Sequence, residues 1–321
     1  MKGWLRFVSD SAETTTIPLP VVSLITPPLV YLGLRGAKLS RSAACIAGAV
    51  IVVAPAHIVF TGRVKPYVIE ALVVFILGLL VLHLARAQWS WRTVAGWVVF
   101  TALTATVSSF ILLSSAVAML VLVGWSRVDR RQRVTALALQ GILQLAQLLV
   151  TRTNYDSARF AEWWANPPSD GRVDFFLNPI EMIKEIETHF HHLGAAAVQG
   201  GSVPAVALVV VALLSLAGWS MRRDQAPMAQ FFGLLLLVAF VGGLLGQIPF
   251  GARIEAVGTR ASIWLIPSLV VGLAIFVETV VGVLSRQRPT LSVPLVGISL
   301  AISVGIVATG GRFGRHPRRS L

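Results

Sequence analysis

The chain has 321 residues, of which 55% are hydrophobic and 13% charged, with a mean hydropathy of +0.77; that excludes an ordinary soluble domain of this size. A net charge of +13 in a soluble protein would point to nucleic acid, but here the arginines fall in short loops between apolar runs, where they set topology and leave no nucleic-acid partner to expect. The single cysteine, Cys45, lies within an apolar run, which excludes an intrachain disulfide.

Residues 1–16 are polar: Met1 to Phe7 is basic, but Ser9 to Thr16 offers no apolar core of a signal peptide. The first predicted span covers 17–34 and holds Pro18, Pro20, Pro27 and Pro28, so it needs neighbours to be stable. A basic turn (Arg35, Lys38, Arg41) leads to a second span near 42–60, and a third is expected near 67–84. The turn after it carries Arg86, Trp89, Trp91 and Arg92, with the tryptophans at headgroup level. The apolar run 93–126 would form a helix of about 51 Å, too long for a hydrocarbon core of about 30 Å. It is predicted to split into two short helices, near Ser108-Ser109 or Ser114-Ser115. A strongly basic turn (Arg127, Arg130, Arg131, Arg133) precedes a sixth span near 134–151. Further spans are expected near 202–221, 228–247, 261–284 and 291–309.

The expected fold is therefore all-α: a polytopic integral membrane protein of about ten transmembrane helices, multi-pass in the cytoplasmic membrane. It divides into an N-terminal bundle (1–151), an extracytoplasmic loop (152–200) and a C-terminal bundle (201–321). The arginine-rich short loops at 35–41, 86–92, 127–133, 222–223 and 286–288 alternate along the chain and belong inside. The opposite face carries Arg63/Lys65, the long loop and Arg253/Arg260, diluted by acidic residues. With this count the basic tail from Gly310 also falls outside, against the rule, so the number of spans stays open there.

The stretch Thr61 to Glu70 reads Thr-Gly-Arg-Val-Lys-Pro-Tyr-Val-Ile-Glu. Arg63 and Lys65 would each cost about 2.5–3.5 kcal/mol at a span centre, so they belong at an interface. Pro66 suits a first helical turn, and Glu70 lies one turn further in, beside Lys65 and Tyr67. Such a rim fits either a phosphate-headed lipid or an ordinary snorkelling anchor.

In the long loop, Trp163 and Trp164 suit stacking on a sugar or anchoring at the membrane surface. Asn178-Pro179-Ile180-Glu181 is a helix start with a capping box. Ile180, Ile183, Ile186, Phe190 and Leu193 then make the apolar stripe of an amphipathic helix lying on the membrane surface or over a cavity. On that helix Glu185, His189 and His192 share a face at spacings of four and three. That spacing could ligate a divalent metal, but no other ligand set is evident, so the polar surface of an interfacial helix is the favoured reading and no cofactor is assigned.

Taken together, several features resemble the C-type membrane glycosyltransferases, the group of protein mannosyltransferases and aminoarabinose transferases, and are nearest to actinobacterial members. They are Arg63-x-Lys65-Pro66-Tyr67 at an outer helix start, the serine-marked helix pair, the tryptophan-bearing loop, Pro249-Phe250-Gly251, the run Gly258 to Pro267, and Pro27-Pro28-Leu29-Val30-Tyr31. The resemblance implies a polyprenyl-phosphate-linked sugar donor and transfer at the extracytoplasmic face. By position Lys65 and Tyr67 would line the donor site, with Glu70, Arg253, Trp163 and Trp164 around it. Arg260 would hold the lipid phosphate through a charge-assisted contact. The family's catalytic aspartate lies in the loop between its first two spans, and this sequence starts beyond that position. Asp10 and Glu13 resemble the approach to the third span instead. The general base is therefore expected upstream or from a partner subunit. Two other classes fit the same sequence: a non-catalytic subunit that binds lipid-linked sugar, and a lipid or solute transporter or flippase. Ionisable residues are scarce at mid-span, which disfavours proton coupling.

Overall fold

The computed structural model describes residues 18–54, 57, 67–105, 108–125, 128–154, 180, 183, 184, 191, 202–221, 224–244 and 263–287. Among these residues the regular structure is helical, with no strand. The helices are α1 (Pro18–Gly36), α2 (Arg41–Val53), α3 (Tyr67–Arg86), α4 (Trp91–Ala105), α5 (Ser109–Trp125), α6 (Arg130–Asn154), α7 (Ser202–Ser220), α8 (Ala226–Leu244) and α9 (Ile266–Gln287). A single 3₁₀ turn (Ile263–Leu265) opens α9.

Each helix coincides with an apolar run of the sequence. The long run 93–126 does break: α4 ends at Ala105 and α5 starts at Ser109, at the Ser108-Ser109 option. Ser108 Oγ accepts from the Phe110 amide at 3.1 Å and so caps the second helix of the pair. Among the described residues two helices, Val68–Arg86 and Ile263–Val283, are long and apolar enough to cross a membrane, against the ten or so spans expected of the whole chain; Arg41–Val53, Phe110–Trp125, Ala205–Ser220 and Ala226–Gly242 are apolar but shorter. The expected span near 291–309 and nearly all of the 152–200 loop lie outside the described residues, apart from Arg152, Thr153 and Asn154 at the end of α6 and a few helical positions. Of those positions, Ile180 and Ile183 are helical and exposed.

The hub is α3. It packs against α1, α5, α8, α9 and the 3₁₀ turn, and its Val68, Val74, Phe75, Leu77 and Val81 are buried in the common core. On one side α2, α7 and α9 complete the bundle; on the other, α5 carries α4 and α6. Small residues decide the closest approaches. A side-chain carbon added at Gly272 of α9 would stand 2.6 Å from the Cα and Cβ of Ala212 in α7, so only glycine lets these backbones meet.

α1 runs unbroken through Pro27 and Pro28. Pro27 has no N–H, so it leaves the Ser23 carbonyl without its helical donor. His57 takes up that carbonyl: its Nε2 lies 3.3 Å from Ser23 O and 2.6 Å from Ser23 Oγ. A buried imidazole from beyond α2 thus satisfies what the proline frees, as buried backbone requires.

Candidate functional site

The two ends of the bundle differ in chemistry. At one end, Arg35 Nη1 donates to Leu39 O at 2.5 Å and Gln225 Nε2 to Ala37 O at 3.3 Å. Arg86 donates to the Asp224 carbonyl, and Trp125 Nε1 donates to Gln230 Oε1 at 2.5 Å. The Ser40 amide donates to Glu278 Oε2 at 2.9 Å, while Ser40 Oγ accepts from the Ala43 amide at 3.3 Å. Glu278, on α9, therefore completes the N-cap of α2 in place of the carboxylate a capping box would carry three residues on. These bonds bring the loops at 37–40, 86–90 and 221–225 to the same end, together with the exposed cations Arg35, Lys38, Arg41, Arg86 and Arg92.

The buried polar side chains gather away from that end. Ser23 and Thr26 lie in the first turns of α1, His57 lies beyond α2, and Glu70 is in the first turn of α3. Ser268 is one turn past the start of the 3₁₀ segment, and its Oγ has no hydrogen-bond partner among the described residues. Glu70 is 4% exposed and is the only buried carboxylate among the described residues. Its place in the first turn suits a negative charge, because the free amides and the dipole of α3 point there. The 3₁₀ turn packs on α3, and Trp264, fully buried, stacks on Phe110 of α5 with ring centroids 5.1 Å apart and planes at 10°. This stack ties the tip of the α4–α5 pair to the start of α9.

A second polar cluster joins α4, α5 and α6. Trp97 Nε1 donates to Gln140 Oε1 at 3.2 Å, and Gln140 Nε2 donates to Ser115 Oγ at 2.8 Å. Ser115 Oγ and Gln144 Nε2 both donate to Leu112 O, at 2.7 and 2.5 Å. Every member of this chain of bonds is satisfied, so the cluster clamps the short helix pair to α6 without a stranded polar group.

Of the residues singled out from sequence, Glu70 is brought into the packed interior, and Tyr67 is the first residue of α3. Lys65, Trp163, Trp164, Glu185, His189, His192, Arg253 and Arg260 lie outside the described residues. Among the described residues no three metal-ligating side chains come together. Sequence reasoning missed the Ser23–His57 pair and the Gln140–Gln144 cluster. The second had a signal: Gln140, Gln144 and Gln147 recur at spacings of four and three along an otherwise apolar helix.

Compared with protein-family models, curated proteins and solved structures, the chain shows no match.

Proposed function

We propose that this chain is a multi-pass protein of the cytoplasmic membrane that binds a polyprenyl-phosphate-linked sugar at its extracytoplasmic end, as part of a membrane glycosyltransferase. The observation that carries the reading is the polarity of the bundle: exposed arginines line one end, and Glu70, Ser268, His57 and Ser23 are buried toward the other. By the Lys/Arg rule the arginine end faces the cytoplasm, so the buried polar end faces outward. An ionisable group held inside a membrane bundle is a functional group by default, and Glu70 is the one carboxylate so held among the described residues.

Chain connectivity supports a shared phosphate site. Lys65 is two residues ahead of α3 and Arg260 three ahead of the 3₁₀ turn, and those two elements pack together. Arg260 suits the phosphate because its guanidinium gives two parallel charge-assisted bonds; Lys65 adds a point charge, and Tyr67 a phenolic donor. The general base that activates the acceptor is not assigned to a residue of this sequence.

The test is equilibrium binding of polyprenyl phosphate to the purified full-length chain, followed by native mass spectrometry. Loss of a charge-assisted contact is worth about 1.5–3 kcal/mol, so Arg260→Ala should weaken retention about 10- to 100-fold. Unchanged retention in Arg260→Ala, with Lys65→Ala also silent, would remove the donor-site assignment.

A further inference from the structure

The turn between α1 and α2 keeps a side chain that its backbone disfavours. The turn closes α1 as a complete Schellman motif. The Leu39 amide donates to Leu34 O and the Lys38 amide to Arg35 O, both at 3.0 Å, and Leu34 and Leu39 are fully buried. Lys38 takes the position just past the helix, with a φ of 67°, and it is the one non-glycine residue with a positive φ among the described residues. Glycine takes this conformation freely, whereas a lysine brings its Cβ too close to the following carbonyl. Packing does not ask for the side chain, because Lys38 is exposed.

The next cation is misplaced as well. Arg41 is the first residue of α2, where the free amides and the helix dipole disfavour a positive charge. On the other side, Arg35 is held across the turn by its bond to Leu39 O, a neutral acceptor that leaves the guanidinium charge in place. The Lys/Arg bias that orients a membrane protein counts cations per loop and does not choose which loop residue carries them. It accounts for the charge of this end, but not for a lysine with positive φ or an arginine at a helix start. Two carboxylates lie on the elements bonded to this turn: Glu278, which accepts from the Ser40 amide, and Asp224, next to the Gln225 side chain that donates to Ala37 O. Against them stand Arg35, Lys38 and Arg41, with Arg86 bonded to the Asp224 carbonyl, so the positive charge is in excess.

An apolar track leads to the turn. On α1, Val21, Ile25, Pro28 and Leu32 are exposed at spacings of four, three and four, and exposed Arg35 follows three residues later on the same stripe. A stripe of exposed apolar side chains that ends in a cationic turn matches a phospholipid, with an acyl chain along the helix and a phosphate at its end. We infer that the α1–α2 turn holds the headgroup of an anionic phospholipid of the inner leaflet, with Lys38 between Arg35 and Arg41 and the acyl chain along the exposed stripe of α1. The inference rests on the membrane reading of the bundle proposed above and is independent of the sugar donor.

Native mass spectrometry and thermal unfolding of the purified full-length chain, with phosphatidylglycerol or phosphatidylcholine added to the detergent, test this. The intact chain should retain phosphatidylglycerol in preference to phosphatidylcholine. Lys38→Gly should move the two readouts in opposite directions. It relieves the turn, raising the unfolding temperature in lipid-free detergent by about 2 °C. It also removes one cation from the headgroup, lowering phosphatidylglycerol retention about fivefold. Lys38→Arg should keep the retention. Unchanged retention in Lys38→Gly, or an equal loss in Arg92→Gln at the same end of the bundle, would overturn the site. Stabilisation by inorganic phosphate equal to that by phosphatidylglycerol would overturn the lipid assignment. Release of the chain from its membranes by alkaline carbonate without detergent would instead count against the membrane reading; a chain that stays in the membrane and shows no preference for phosphatidylglycerol would overturn this inference alone.

Discussion

At the scale of single residues, buried hydrogen bonds join helices of this bundle that are far apart in the sequence. Gln140 links three helices through Trp97 and Ser115. Gln140→Leu keeps the shape and removes both bonds, and interhelical bonds in membranes average below 1 kcal/mol each. The expected loss is therefore about 1 kcal/mol of unfolding free energy in mixed detergent; no loss would mean the cluster is decorative. Glu278 offers a sharper contrast, because it caps α2 from another helix. Glu278→Ala should cost about 1 kcal/mol, as loss of a cap does, whereas Glu278→Gln keeps an acceptor oxygen and should cost less. Equal losses would show that charge, and not the hydrogen bond, is what Ser40 needs. These residues also mark what the sequence hides. Glu278 and Ser40 are 238 positions apart, and Ser23 and His57 meet because Pro27 releases a carbonyl, so no local pattern announces either pair.

At the scale of elements, the sequence was most informative where apolar length decides. All the described helices fall on runs read as spans, and the 93–126 run breaks where its serines allow a cap. Length alone demanded that break, but only Ser108 capping Phe110 chose between the two serine pairs. The polar face of α6 left a signal in the spacing of its glutamines that the sequence reading missed, and its partners on α4 and α5 are a tertiary fact. The α7–α9 packing is set by backbone approach at Gly272. Gly272→Ala should destabilise by about 1–3 kcal/mol through overpacking, and Ala212→Gly on the facing helix should restore part of it. Thermal unfolding of both single variants and the double variant in detergent checks this; additive losses would mean the two residues do not press on one another.

At the scale of the whole molecule, the account rests on a bundle with an arginine-rich end and a polar interior displaced toward the other. The loops at 37–40, 86–90 and 221–225 are joined to one another by hydrogen bonds, so they must lie on one side of any membrane the helices cross. The measurement that tests this most directly is side-specific labelling in intact cells, in the Cys45→Ser background, of Lys38→Cys and Gln88→Cys at the arginine end and Thr61→Cys ahead of α3. The account predicts that an impermeant maleimide reaches Thr61→Cys from outside, and reaches Lys38→Cys and Gln88→Cys only after the cells are permeabilised. Labelling of Lys38→Cys and Gln88→Cys in intact cells, with Thr61→Cys protected, would turn the bundle over and put the polar end, and the proposed donor site, on the wrong side of the membrane.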